Sequence, residues 1–307
     1  MSLTLSQHVH TLGQHLLQQF GERVHKVSID AGFTCPNRDG RNGVGGCSFC
    51  NNDSFVPDQA DRPSIHTQIE AGAAAVARVS GARKLLAYFQ AYTNTYDAIE
   101  RLRSLYDQAL SHPQVVGISV GTRPDCVPDA VLDLLAAYQE RGWLVWLELG
   151  LQSSFDTTLQ RIYRGHDYAC YVDATRRARQ RGLPVCTHLI LGLPGEGLEH
   201  ARLTLERVLD VGTDGIKLHP LHVVKATRLA YEWRHGEYTP MSEDDYIDQV
   251  VDLLRRTPSD VVMHRLTGTA ARSILLAPAW CEHKWRVLNG ITQRMAAHAY
   301  QQGDLVV

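Results

Sequence analysis

Three cysteines carry the clearest chemical signal in this chain: Cys35, Cys47 and Cys50, in the stretch Cys35-Pro-Asn-Arg-Asp-Gly-Arg-Asn-Gly-Val-Gly-Gly-Cys-Ser-Phe-Cys50. Gly40, Gly43, Gly45 and Gly46, with Asn37, Asp39 and Asn42, fill the gap between the first two. Glycine accepts positive φ, and Asn and Asp bond their own backbone, so the segment can fold back and set Cys35 beside the Cys47-x2-Cys50 pair. Three converging thiolates are an informative number. A structural zinc is usually closed by four ligands and a [4Fe-4S] cluster normally takes four cysteines, so three leave one position for a ligand from outside the protein. Two other readings stay open: a dithiol redox pair at Cys47 and Cys50, or a zinc knuckle, structural or RNA-binding, closed by His10 or His25. The glycines also predict a loop that is mobile without its metal.

The elements that must position these thiols read as strands alternating with helices. Apolar runs at 26–30, 84–89, 115–120, 144–149, 185–191 and 215–219 alternate with helical spacing at 66–79, 97–110, 128–140, 168–181 and 198–210. Nearly continuous apolar strands in βα repeats imply a parallel α/β sheet covered on both faces. Six units suggest a partial (β/α)6 TIM-like barrel, with a doubly wound open sheet as the competing architecture. In either, chemistry sits at the carboxyl ends of the strands, where the cysteines follow the first strand. The expected division is an N-terminal helix within 1–25 (helical spacing over 3–20), a barrel core over 26–225 and a C-terminal extension over 226–307 that caps the barrel. That extension would hold helices at 242–256 and 280–301 and a short strand near 261–263.

Composition bounds the rest. The chain has 307 residues and a formal net charge of −2, so no global basic field advertises nucleic acid. Seven cysteines, four of them scattered singly, are not a secreted disulfide framework; a reducing cytoplasm fits better. There is no long apolar run and no signal-peptide pattern at the N-terminus, so no membrane is expected.

A three-cysteine loop after the first strand of such a barrel resembles the radical S-adenosylmethionine (SAM) superfamily. The usual spacing there is C-x3-C-x2-C; this chain has C-x11-C-x2-C, as in the branch similar to the Elongator catalytic subunit. The run Gly-Phe-Thr-Cys-Pro-Asn-Arg-Asp-Gly…Gly-Gly-Cys-Ser-Phe-Cys resembles the YhcC-type members of the superfamily, and the acetyltransferase domain of the Elongator subunit finds no counterpart in it. Lengthening the first gap costs about 1 kcal/mol in loop closure, well within what metal–ligand bonds offset.

The resemblance implies roles for further residues. Gln90, at the end of Phe89-Gln-Ala-Tyr-Thr93, or backbone carbonyls there would receive the SAM amino group. Gln152, in Glu148-Leu-Gly-Leu-Gln152, would hydrogen-bond SAM, and Arg164, in Arg161-Ile-Tyr-Arg-Gly-His166, would pair its carboxylate through a planar fork. Glu148 would touch the ribose or a substrate, or else form a buried ion pair with a neighbouring helix. His188 would contact the ribose hydroxyls, or be a satisfied core histidine, and Gly192 to Gly195 would let the chain approach the adenine. Arg123 and Asp125, in Gly121-Thr-Arg-Pro-Asp125, are candidates for substrate or loop contacts, with a helix cap as the alternative for Asp125. Lys217, His219, His222 and Lys225 would cluster near the lumen mouth, to hold an anionic substrate or relay a proton, or else form a solvated strand exit.

The cofactors implied are a [4Fe-4S] cluster on Cys35, Cys47 and Cys50 and S-adenosyl-L-methionine on the open iron. The implied chemistry is reductive cleavage of SAM and hydrogen abstraction from a substrate, either a tRNA nucleoside or a small molecule. An external electron donor such as flavodoxin or ferredoxin would be the partner. Arg176, Arg177, Arg179 and Arg181 on one helix are candidates for phosphate contact, or for a merely solvated face.

Overall fold

The computed structural model describes residues 4–51 and 62–306. Strands β1 (Val24–Ile29), β2 (Lys84–Phe89), β3 (Val115–Thr122), β4 (Leu144–Gln152), β5 (Val185–Leu191) and β6 (Gly215–Pro220) pair in that order, all parallel. Helices α1 (Leu12–Phe20), α2 (Ile65–Ser80), α3 (Ile99–Leu110), α4 (Asp129–Glu140), α5 (Asp156–Arg161), α6 (Tyr168–Gln180) and α7 (Leu198–Val211) precede, connect and follow them. Sequential parallel order with helical crossovers curls the sheet into a half-barrel, the partial TIM-like architecture expected from the βα period.

The expected count of six strands falls one short. After β7 (Val223–Val224), α8 (Arg228–Arg234) and α9 (Glu243–Arg256), strand β8 (Val262–Arg265) pairs parallel with β6 and becomes the seventh stave. The C-terminal stretch therefore contributes a stave to the barrel wall. Its other pieces, β9 (Leu275–Ala277) and α10 (Lys284–Ala297), pair with β7 and pack on α9 respectively. Helices α5 and α8 have six and seven residues, too short for a periodic signal.

The N-terminal helix also differs from expectation. It starts at Leu12 rather than near residue 3, which lies outside the described residues. Thr11 caps it, accepting from Gln14 N (3.3 Å), and Gly21 closes it in the left-handed conformation, φ 69°. Thr11 bridges Met263 in parallel, and His10 O accepts from Met263 N (2.9 Å), so this segment lies along the free edge of β8.

Side chains alternate across a strand, so every second residue enters the lumen, and the lumen is layered. At the N-terminal end Leu12 and Leu16 of α1 meet Val24, Leu86, Trp146, Cys186 and Val262 in a separate apolar cluster. Two residues further along the strands stand Lys26, Tyr88, Glu148 and His188. Beyond them, at the carboxyl ends, the lumen opens into a cavity.

Candidate active site

The cavity has a volume of about 570 Å3 and takes its walls from the carboxyl ends of the strands and the loops after them. That is the size range of cofactor sites. Cys35, Cys47 and Cys50 all line it. Burial, and then the neighbouring Cys47 and Cys35 against an opposing Arg38, raise the Cys50 thiol to about 11. Cys50 therefore lies close enough to both other thiols to feel them.

The cysteine loop is seated by Asn37. Its Nδ2 donates to the carbonyls of Tyr163 (2.9 Å) and Arg164 (2.8 Å) and lies 3.6 Å from Cys47 Sγ. Ser48 N donates to Ile162 O (2.9 Å), and Arg38 Nη2 donates to Cys50 O (2.7 Å). Asn42 Nδ2 donates to Asp125 Oδ2 (2.8 Å), and Arg123 grips the same carboxylate through Nε and Nη2, each at 2.9 Å. Arg123 and Asp125 thus make a loop contact; Asp125 does not cap α4, whose cap position is Pro128.

Arg164 and Gln152 meet the cysteines on the same cavity wall. Arg164 is 7% exposed; its Nη2 and Nε donate to Gly150 O (2.5 and 3.2 Å) and its Nη1 lies 3.6 Å from Cys47 Sγ. A guanidinium has five N–H donors, so two remain for a ligand. Gln152 has φ 82°, a left-handed conformation that turns the chain at the end of β4. A Cβ on Gly150 would lie 2.8 Å from Arg164 Nη2 and 2.9 Å from Gln152 Nε2, so a side chain there would make the ends of both move aside. Gln90 is also on the wall, with Ser28 Oγ donating to its Oε1 (3.2 Å). This donor set, three thiols with an arginine and two amides beside them, fits a cluster that leaves one iron for the amino-acid end of SAM.

Two of the anticipated contacts are placed elsewhere. Glu148 is fully buried and does not reach the cavity surface. Its ion pairs come from strands, not from a helix. Lys26 bonds Oε1, and so does Ser119 Oγ (2.5 Å). His188 Nε2 (2.6 Å) and Lys217 Nζ (3.2 Å) take Oε2, and His264 Nδ1 stands 3.5 Å from Oε1. Burial pulls this carboxyl upward, but Lys217 and Lys26 outweigh it and hold it well below the usual range. Gly192 lies off the wall; its carbonyl accepts from Tyr238 OH (2.8 Å).

His188 lines the cavity with one ring edge, while Nε2 donates to Glu148. Burial, reinforced by Lys217, lowers it to about 4, so it is a neutral donor. Glu148, Cys186 and His188 offer ligand atoms within 4.8 Å of one another, but two lysines already occupy the carboxylate, which makes the group an ion-pair network rather than a metal centre. Lys217, His219 and His222 line the cavity as expected. Lys225 does not join them, because its Nζ donates to Ser273 O (2.6 Å). Nor do His10 and His25 stand with the cysteines: His10 Nδ1 contacts Ser259 O (3.1 Å), and His25 is exposed near the start of β1. The zinc-knuckle reading thereby loses both proposed closing ligands.

Nothing in the sequence pattern marks Tyr88, Lys26, His264 or Arg265. Tyr88 OH accepts from Lys217 Nζ (2.5 Å), and Arg265 reaches the wall from the end of β8. Of the α6 arginines, Arg177 and Arg181 pair with Asp129 (3.1 and 3.2 Å), and Arg179 pairs with Asp214 (2.5 Å). Three of the four are thus matched to carboxylates.

Known proteins are similar to this chain. The family model described as Radical SAM superfamily matches residues 35–208, and that of the Radical_SAM C-terminal domain matches 213–297. Protein YhcC of Escherichia coli K12 is 49% identical over 303 residues, covering 99% of this chain and 97% of that protein. A tRNA uridine(34) acetyltransferase of Methanocaldococcus infernus is 30% identical over 139 residues, 44% of this chain and 25% of that protein. The structure of Methanocaldococcus infernus Elp3 superposes with a TM-score of 0.62 at 20% identity, over 91% of this chain and 64% of that one, a likeness of fold. Among the described residues no helix is long and apolar enough to cross a membrane. With a cysteine-lined cavity at the strand ends of a partial barrel and a family model spanning most of that barrel, the chain belongs to the radical SAM superfamily, is an enzyme of that superfamily, and has S-adenosylmethionine and a [4Fe-4S] cluster as its cofactors.

Proposed function

We propose that Cys35, Cys47 and Cys50 hold the cluster, that SAM lies in the cavity against Gln152 and Arg164, and that the enzyme abstracts hydrogen from a nucleoside of tRNA. Bound there, the cluster and SAM would supply reductive cleavage of the sulfonium and the hydrogen-abstracting chemistry that follows from it. The observation that carries the reading is the approach of Arg164 to Cys47 on a wall shared by all three thiols. It sets a carboxylate-binding fork beside the metal-binding sulfurs.

The chain's own residues do the positioning. Arg164 uses its free N–H donors for the amino-acid carboxylate, and Gln152 and Gln90 offer amides for polar atoms of SAM. Asn37 and Arg38 hold the loop so that the sulfurs converge. The barrel wall surrounds the cavity, and its apolar parts, such as Ile190 and Leu221, exclude water from a reactive radical. Support for a tRNA nucleoside comes from the likeness to the tRNA uridine(34) acetyltransferase. The paired arginines of α6 add nothing to it. A one-electron donor such as flavodoxin or ferredoxin completes the scheme.

Anaerobic reconstitution with iron and sulfide, reduction, and assay for 5′-deoxyadenosine and methionine test the proposal. Formation of both, raised by unmodified tRNA, is expected. Stoichiometric zinc without iron in protein purified anaerobically would overturn it.

A further inference from the structure

The cavity is rich in positive charge. Arg38, Arg123, Arg164, Lys217 and Arg265 line it, and among the described residues the one carboxylate on its wall is Asp30, which Arg62 already bonds (2.9 Å). Most of these cations have an assigned counterpart. Arg123 is matched by Asp125, and Arg38 and Arg164 face the cysteine loop, where metal-bound thiolates carry negative charge.

Lys217 and Arg265 are different. They are register partners on β6 and β8, so they stand side by side on one wall. Lys217 shares the Glu148 carboxylate with Lys26, which leaves two lysines against one acid. Among the described residues no carboxylate lies within ion-pair distance of Arg265. The imidazoles around them do not alter the count. Burial lowers His222 to about 4 and His219 well below its usual value, and His188 is likewise neutral. A half-enclosed wall with surplus positive charge is costly unless an anion completes it.

We infer that Lys217 and Arg265 form a subsite for an anionic oxygen group carried by the substrate, a carboxylate or a phosphate. Arg265 supplies the fork and Lys217 a point charge fixed by Glu148 and Tyr88. Gly268 serves the same wall, because a Cβ there would lie 1.9 Å from His219 Nε2. The inference deepens the function proposed above and rests on it for the cavity being the place where substrate lies.

The test is calorimetric titration of the cluster-reconstituted protein with malonate and with inorganic phosphate, at matched ionic strength. Wild type, Arg265→Gln, Arg265→Lys and the exposed control Arg272→Gln are compared. At least one probe is expected to bind wild type and Arg272→Gln alike, to weaken about tenfold or more in Arg265→Gln, and to recover in part in Arg265→Lys. Preference for malonate assigns a carboxylate, and preference for phosphate a phosphate. Equal binding by wild type and Arg265→Gln overturns the inference. So does an equal weakening of SAM itself in Arg265→Gln, since the subsite would then belong to the cofactor. Reductive SAM cleavage by wild type is measured separately. If cleavage occurs and neither anion binds, only this inference falls; if Arg265-dependent binding occurs without cleavage, only the proposed chemistry falls.

Discussion

Asn37 and Gly165 interlock: a Cβ on Gly165 would lie 2.4 Å from Asn37 Oδ1, and Gly165 has φ 76°. The cysteine loop and the turn before α6 therefore fit only while position 165 has no side chain. Gly165→Ala is expected to displace Asn37 and loosen Cys47, at a backbone cost of about 1 kcal/mol or more. Iron and sulfide per chain after anaerobic gel filtration should fall well below wild type. Undiminished iron content would mean that Asn37 does not position the loop.

Glu148 is the anion on which the buried layer depends. Glu148→Gln leaves Lys26 and Lys217 facing each other without compensation, a loss of about 3–5 kcal/mol by analogy with broken buried pairs. Chemical denaturation measures it. Adding Lys26→Met should restore part of the loss, and a double variant no more stable than Glu148→Gln would refute the shared-charge account.

Cys35 separates a cluster from a dithiol pair. Cys35→Ala should abolish iron binding and the cluster absorbance, while Cys170→Ala, on α6 away from the cavity wall, should retain both. Thiol–disulfide exchange activity that survives Cys35→Ala would instead favour Cys47 and Cys50 acting alone.

Lys217 makes the anion subsite sensitive to alkali. Burial, helped by Arg265 and Lys26 and opposed by Glu148, lowers it from 10.5 to about 8. Tyr88 and Cys186, which face it, are raised well above their usual values and stay protonated, and His188 is neutral well below this window. The unfolded chain binds this proton more tightly, so the cost of the charged lysine is whole below about pH 8 and is relieved as pH climbs toward 10.5. Anion affinity runs the other way and should decline as pH rises through about 8. Titrations from about pH 7 to about pH 10 should show that decline in wild type and not in Lys217→Met.

Much of the site was legible because its signals are local. The three thiols lie in one short run, Gln152 and Arg164 lie in runs that the family resemblance marks, and the structure brings all five to one wall. What escaped is set by tertiary register. Alternation places Glu148 in the lumen but does not say at which depth, and its partners come from five strands, β1, β3, β5, β6 and β8. Arg265 belongs to a four-residue strand with no periodicity of its own. The α6 arginines read as a basic face because their acidic partners Asp129 and Asp214 lie on other elements.

The apolar cluster that α1 drives into the N-terminal end of the lumen has a consequence for traffic. With Leu12 and Leu16 set against Leu86 and Trp146, the N-terminal end of the lumen is filled by apolar side chains. In the proposed reaction SAM, the substrate and all three products would share the opposite, carboxyl-end approach. A substrate large enough to cover the rim would trap whatever arrived earlier, so turnover should follow a compulsory order, SAM first and the modified substrate leaving before methionine and 5′-deoxyadenosine.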